Sequence, residues 1–411
     1  MKLTEMILNE MNNVSKMQKN FFILLMKTIV SVYGHVNFRN LSRYSFISEK
    51  TFRRWFRIPF DFSEFNSKAI DKVLAPGSEV IAAFDQSFEG KAGKMTWGKS
   101  YFWNGCASRT EKGLELDLCA LVDVEKNIAY PLSAEQTPPD SEIRTQYTSH
   151  DSEEPTRIDF YLSCINKVRL LILKYTNYFA FDGYFTKKKF VDGIVQMGFH
   201  FIGKLRSDAN LKILYTGEQK KGRGRPKKFY GKCNIKELQG FAFERDIDDE
   251  TKLYSGIFYS PSLERTIKVV AAVQTKKNKV GIALFFSTDL SLDAIKIYSY
   301  YKARFQIEFI FRDANQFTGL GDCQSRNKES LNFHFNASFT ALNLIKIQDQ
   351  LDHPNYVIGR PFSMASYKAR YHNESMIGII FSMLGFDLTS IKSSPLFQEV
   401  LNYGTIYSGG R

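Results

Sequence analysis

Cysteine is scarce and poorly placed for pairing. The five cysteines, Cys106, Cys119, Cys164, Cys233 and Cys323, are odd in number, scattered, and never spaced as Cys-x-x-Cys. This argues against a disulfide framework and against a structural zinc site, and it fits a reducing compartment. The six histidines form no His-x-x-x-His pair. The N-terminal stretch 1–13 has no apolar signal core. The most apolar run near it, Phe21 to Tyr33, is broken by Lys27 and falls short of a membrane span. A cytoplasmic protein is expected.

What is present is an ordinary globular composition with a bias. Hydrophobic residues make up 44% and charged residues 24% of 411 positions, enough for two or three domains with a sizeable core. Aromatics are abundant, with 36 Phe and 21 Tyr. The formal net charge of +13 points to a polyanionic partner, because Lys and Arg near phosphates release condensed counterions. Ribosomal, membrane-surface and heparin-binding proteins share that signature, so charge alone selects none of them.

Residues 1–75 read as helices. Within them, Asn37 is placed to cap a short helix through Ser45, and Ser48 to cap a second from Glu49 to Phe56, which Pro59 ends. Two short helices joined by a tight turn match a helix-turn-helix, and the second carries Lys50, Arg53, Arg54 and Arg57 for DNA. The alternative is a basic helical hairpin that only packs on the next domain.

Next come three apolar or alternating runs, 79–88, 112–123 and 127–137, which predict an antiparallel meander. A helical period follows in Ile158, Leu162, Ile165, Val168 and Ile172, then a strand at 178–183, a helix from Thr186 to Met197 and a strand at 199–206. The order β-β-β-α-β-α-β is that of an RNase H-like domain, a mixed α/β sheet flanked by helices, here over 76–207. Residues 208–290 read as a β-rich insertion with a basic arm, with strands at 253–260, 266–274 and 280–288. Residues 291–345 return to the α/β domain with a long helix from Ser291 and another near Asn327. The remainder, 346–411, reads as a helical tail, with a buried helix at Met376–Phe386.

Three carboxylates stand out by context. Asp85 closes the apolar run VIAAFD, and Asp182 closes YFAFD. An acid at a buried strand end is partly desolvated, which is costly unless a cation or hydrogen bonds compensate. Capping of the following turn explains either one alone equally well. On the long helix, Tyr301, Arg304, Glu308, Arg312 and Asn315 fall in one narrow stripe at 100° per residue, amid Phe305, Ile307, Phe309, Ile310 and Phe311. A glutamate flanked by arginines at i−4 and i+4 suits a phosphate-welcoming groove.

The motif Y-x-x-R-x-x-x-E in YKARFQIE (301–308), followed by FRDANQFTGLGDCQSR (311–326), resembles the signature of insertion-sequence DDE transposases. Asp85 in AFDQS matches the first aspartate of that family. Asp182 in FDGYF matches its second, and Glu308 its glutamate. The resemblance covers roughly 79–345 and includes the β-rich insertion. It implies that Asp85, Asp182 and Glu308 hold two Mg²⁺ or Mn²⁺ ions, hard cations suited to carboxylates. It implies cleavage of double-stranded DNA at transposon ends and attack of the freed 3′-OH on target DNA, by a homodimer associated with the nucleoid. Tyr301 and Arg304 would orient Glu308 and contact phosphate, with Arg312 and Asn315 nearby. The family usually has Lys where this chain has Asn315. A nuclease without strand transfer, or an inactive domesticated DNA-binding protein, are the alternatives.

Other features carry less. Arg223-Gly224-Arg225-Pro226, with Lys227 and Lys228, resembles an AT-hook core and otherwise reads as a loop that touches phosphates. Trp97 and Trp103 read as core aromatics or as DNA-stacking groups. Lys187, Lys188 and Lys189 follow Asp182 and read as a solvated helix face or as phosphate contacts. His334 reads as a satisfied buried polar group.

Overall fold

Side-chain caps start most of the first helices. Ser15, Asn37, Ser48 and Asp61 each accept an amide three residues on, opening α2 (Lys16–Ser31), α3 (Phe38–Arg43), α4 (Glu49–Trp55) and α5 (Phe62–Ile70) after α1 (Lys2–Asn9). The computed structural model describes residues 2–75, 77–147, 154–219, 225–277, 279–354, 362–385, 392 and 394–406. The N-terminal helices do not stand apart. Phe56 and Phe62 both pack on Phe333, at 4.6 and 5.0 Å between ring centroids. The amide of Asn66 donates to Leu132 O and Thr340 Oγ1, and one hydrophobic core runs from Leu3 to Met364.

The strands form one mixed sheet. β1 (Val80–Gly90), β2 (Ser100–Asn104), β3 (Arg109–Asp123) and β4 (Ile128–Gln136) come first, followed by α6 (Asp140–Gln146) and α7 (Arg157–Leu173). β5 (Tyr178–Ala180), α8 (Lys188–Gln196) and β6 (His200–Leu205) complete the first block. β3 pairs antiparallel with β1 and β4, whereas β5 lies parallel to β1 and to β6. β7 (Lys212–Leu214), β8 (Phe229–Lys232), β9 (Ala242–Asp246), β10 (Thr251–Ser260), β11 (Arg265–Lys276) and β12 (Lys279–Ser287) extend it. Because β12 pairs antiparallel with β6, the inserted strands continue the same sheet, in the order β2-β3-β1-β5-β6-β12-β11-β10-β7-β8. The chain closes with α9 (Ala294–Ala303), α10 (Gln306–Asp313), α11 (Lys328–Asp352), α12 (Met364–Leu384) and α13 (Pro395–Leu401).

Three expectations are corrected. Asp85 is not at the end of its strand: β1, expected over 79–88, runs on to Gly90, since β3 supplies partners as far as Gly113. The helix after Ser291 breaks at Arg304–Phe305, where the amides of Ile307 and Glu308 bond three residues back, and a π turn at Ala314–Thr318 ends it at Gly319. The segment from Met376 is helical but mostly exposed: Ile377 is buried, while Ile379, Ile380, Met383 and Leu384 face outward. α12 packs on α2, α13, α11 and the π turn, and these contacts leave those four side chains exposed.

Gly319 sits at φ +69°, and a Cβ there would lie 2.5 Å from Val36 Cβ and 2.5 Å from Asp322 Oδ2. Those atoms join the N-terminal region to the turn after the π helix, because Asp322 Oδ2 accepts the Val36 amide at 2.7 Å. Gly319→Ala is therefore expected to lower stability by about 2 kcal/mol, from left-handed strain plus overpacking. Urea unfolding of variant and parent checks this.

A carboxyl pair is buried under the β1–β3 ribbon. Thr137 Oγ1 lies 2.9 Å from Glu115 Oε1 and 2.7 Å from Asp117 Oδ2, while Tyr161 donates to Glu115. A hydroxyl has one proton to give, so the second contact requires a protonated carboxyl. Burial first, and for Asp117 the neighbouring Glu115 next, pushes both carboxyls above their ordinary values. Folded-state values raised in this way contribute stability at low pH that is lost as pH rises through them. Asp117→Asn is expected to raise the urea midpoint at pH 8 and to flatten the decline between pH 5 and pH 8.

Candidate active site

The two aspartates lie side by side on neighbouring parallel strands. Ala82 is opposite Phe179 and Ala83 opposite Ala180, so Asp85 and Asp182 each stand two residues beyond the last paired row. Parallel strands are about 4.8 Å apart, which sets the separation of these backbones. Phe84 packs on Tyr161 of α7 and on Phe185, so strand alternation turns Asp85 to the opposite face, towards α10. Asp182 caps the short turn Gly183–Phe185 by accepting the Tyr184 amide at 2.9 Å.

Arg304 joins Asp85 to Glu308. Its Nη1 donates to Asp85 Oδ2 at 2.9 Å and its Nη2 to Glu308 Oε1 at 3.4 Å. The Tyr301 ring lies 5.6 Å below the guanidinium and packs on Phe285. The Arg304 Nε, also buried, has no partner among the described residues. Burial pushes the Asp85 carboxyl up to about 6, against the pull of Arg304, and the negative charges of Asp182 and Glu308 add to the rise. Asp85, Asp182, Glu308, Tyr301 and Arg304 thus share one electrostatic neighbourhood, three carboxylates against one guanidinium.

The other residues of the stripe turn elsewhere. Asn315 donates to Glu89 at 2.7 Å, and Arg312 pairs with its neighbour Asp313 at 2.8 Å. Of the three lysines after Asp182, Lys188 pairs with Asp192 and Lys189 with Asp159. Lys187 stays at the site, its ammonium 3.8 Å from the Tyr184 ring centroid and attracted by Asp182. Sequence reasoning missed Glu89, four residues along β1 from Asp85 on the same face, because the expected strand 79–88 stopped one residue before it. It also missed Lys204, which with Lys302, Tyr298, Tyr301, Phe285 and Phe305 lines a cavity of about 550 Å³ beside Arg304.

On the outer elements, Lys50, Arg53, Arg54 and Arg57 are all exposed along α4 and its end. In the basic arm between β7 and β8, Arg223 and Gly224 lie outside the described residues. Arg225, Lys227 and Lys228 are exposed, and the Lys227 ammonium lies 4.9 Å from the Tyr215 ring and 5.4 Å from the Tyr230 ring. Trp103 is exposed on β2, whereas Trp97 is half-buried beneath Lys328.

The donor set fits a hard divalent cation: three carboxylates with more negative charge than one guanidinium offsets. Among the described residues no three His, Cys, Asp or Glu side chains are gathered closely enough to clasp a metal ion as they stand. Arg304 takes up part of the space between Asp85 and Glu308.

Residues 157–344 match the family model described as the transposase DDE domain. The chain carries a transposase DDE domain. Asp182, Tyr301, Arg304 and Glu308 lie inside the matched residues, while Asp85 lies before them and joins the site through its contact with Arg304. No curated protein matches the chain. The domain implies DNA as the substrate and divalent metal ions as cofactors. Among the described residues no helix is long and apolar enough to cross a membrane.

Proposed function

We propose that this protein cleaves DNA at transposon ends and joins the freed 3′-OH to target DNA. The observation that carries the reading is the convergence of Asp85 and Glu308 on one guanidinium with Asp182 close enough to perturb Asp85. The strand order β4-β3-β1-β5-β6, three antiparallel then two parallel, supports an RNase H-like catalytic domain interrupted by the β-rich insertion. The exposed bases on α4 and on the β7–β8 arm support DNA contacts outside the three acids.

Asp85, Asp182 and Glu308 would hold two Mg²⁺ or Mn²⁺ ions, which when bound polarise the scissile phosphate and activate water or a 3′-OH. The chain's own residues bind and orient. Arg304 has a planar fork suited to a phosphate's two free oxygens, and Tyr301 fixes the plane of that fork from below. Lys187 and Lys204 add positive charge where the strand enters. Asp85 must be ionised to act as a ligand, and its raised value makes that ionisation fall off below about pH 6. The exposed apolar residues of α12 and α13 supply a surface for a second copy on the paired DNA end.

The test uses the purified full chain, duplexes taken from the DNA flanking its gene, and Mg²⁺ or Mn²⁺. Nicking of end-containing duplex, and joined product from pre-cut 3′ ends, are expected. Nicking without joining would leave a nuclease, and binding without nicking would leave a DNA-binding protein.

A further inference from the structure

The segment that links β1 to β3 is basic and exposes two large aromatic rings. Over residues 91–112 it carries Lys91, Lys94, Lys99, Arg109 and Lys112 against Glu111 alone. Tyr101 and Trp103 on β2 are 62% and 61% exposed, while Phe102 between them is buried. That alternation pins the strand from behind. The Arg157 guanidinium of α7 lies 4.6 Å from the Phe102 ring centroid and donates to Tyr101 O at 3.2 Å. At the turn, the Asn104 side chain accepts the amides of Cys106 and Ala107 at 3.1 and 3.3 Å and donates to Glu111. Two rings therefore face solvent from a backbone held on its other face and at its tip.

Register puts these rings on the face of the sheet that carries Asp85. Directly opposed residues of an antiparallel pair point to the same side, and the side alternates along each strand. Asp85 is opposite Leu118 and Glu89 opposite Leu114, while Tyr101 is opposite Lys112 and Trp103 opposite Thr110. These four partners are alternate positions of β3 in unbroken pairings, so Asp85, Glu89, Tyr101 and Trp103 share one face. The rows of Asp85 and Tyr101 stand about 20 Å apart along β3. The Lys112 ammonium lies 5.8 Å from the Tyr101 ring centroid, and Glu111, opposite Phe102, points to the other side. Residues two apart on a strand are separated by about 6.8 Å, twice the roughly 3.4 Å spacing of stacked bases, which leaves room for one base between the rings. We propose that Tyr101 and Trp103 form a stacking site for the bases of an unpaired DNA strand, with Lys112 on its phosphates. A duplex hides the faces of its bases, so an unpaired strand is the polyanion that both the rings and the charge fit. A second copy of the chain would bring the same positive segment to this edge and be repelled. The proposal rests on the reading of the chain as one that cuts and joins DNA, which supplies strands with open ends.

The experiment titrates the full chain, without metal, with a short oligothymidine and with a duplex of equal length, reading tryptophan fluorescence and the anisotropy of labelled DNA. The double variant Tyr101→Ala, Trp103→Ala is expected to weaken oligothymidine binding about tenfold or more, the scale of a lost base stack, and duplex binding by less than about twofold. Trp103→Phe is expected to bind oligothymidine within about threefold of the parent and to lose most of the fluorescence quenching, since Trp55 and Trp97 are half-buried. Equal losses for single strand and duplex, undiminished oligothymidine binding by the double variant, or a parent whose fluorescence oligothymidine leaves unquenched would overturn the proposal. So would a change of oligomeric state in the double variant with single-strand binding intact, which would give this edge to a second copy. The quenching of the parent decides the matter even if the double variant fails to fold. Nicking plays no part in the readout, so a chain that binds oligothymidine through these rings yet never nicks would fail the catalytic reading and not this one.

Discussion

Glutamine in place of Glu308 is expected to slow metal-dependent nicking of transposon-end DNA by about 10³-fold or more. That factor corresponds to roughly 4 kcal/mol of lost transition-state stabilisation, the size expected when a hard anionic ligand is removed. Folding should hardly register the change. The Glu308 side chain is 44% exposed, and its contact with Arg304 is long, at 3.4 Å. Thermal unfolding is expected to shift by less than ~0.5 kcal/mol, as for most exposed substitutions. DNA-end binding without metal should persist, since α4 and the β7–β8 arm are untouched. Single-turnover nicking, gel-shift and melting measurements on one preparation separate these effects. A nicking rate within tenfold of the parent would remove Glu308 from the chemistry.

Arg304→Ala is expected to act in the opposite sense, on stability first. Arg304 is 8% exposed and is the counter-charge to a buried Asp85 that already faces Asp182 and Glu308. Deleting one partner of such a pair leaves an uncompensated charge, a loss of about 3 kcal/mol at neutral pH. The Asp85 carboxyl is already raised to about 6, so its contribution is present at low pH and lost as pH rises through that value. Without Arg304 the carboxyl rises further, and the loss should be larger at pH 8 than at pH 5. Calcium, which takes oxygen ligands, should restore melting temperature in Arg304→Ala by more than it raises the parent. Arg304→Lys should not rescue either property, because a point-like ammonium does not bridge two carboxylates as a planar fork does. Melting curves at pH 5 and pH 8, with and without calcium, test each clause. An equal loss at both pH values would mean that Arg304 matters through packing rather than charge.

Much of this was legible from the sequence, for identifiable reasons. The caps at Asn37 and Ser48 are local chemistry, and the strands 253–260, 266–274 and 280–288 alternate clearly enough to be read within a few residues of β10, β11 and β12. The three acids could be named because apolar runs lead up to Asp85 and Asp182 and a specific motif surrounds Glu308. The place of Asp85 inside β1 rather than at its end could not, since its reason is the distant partner segment Gly113–Asp117. With it went Glu89 and the anchoring of Asn315. The break at Arg304–Phe305 was hidden by good helix formers on both sides, so spacing at 100° per residue placed Arg312 in a stripe that it leaves to pair with Asp313. The exposure of α12 was misread because apolar composition records what a helix can bury, not what covers it.

The pairing of β12 with β6 has a metric consequence. Six strand spacings separate β5, which leads into Asp182, from β8 at the base of the basic arm. At roughly 4.8 Å each they span at most about 29 Å, and twist shortens this. One strand of duplex advances about 3.4 Å per nucleotide, so that span corresponds to roughly eight base pairs. Since hydrogen-bonded strands rather than a flexible linker fill the interval, Phe229 at the base of the arm keeps a fixed distance from β5. Any duplex held there would be gripped at a fixed offset from the bond to be cut, with the sheet serving as a ruler.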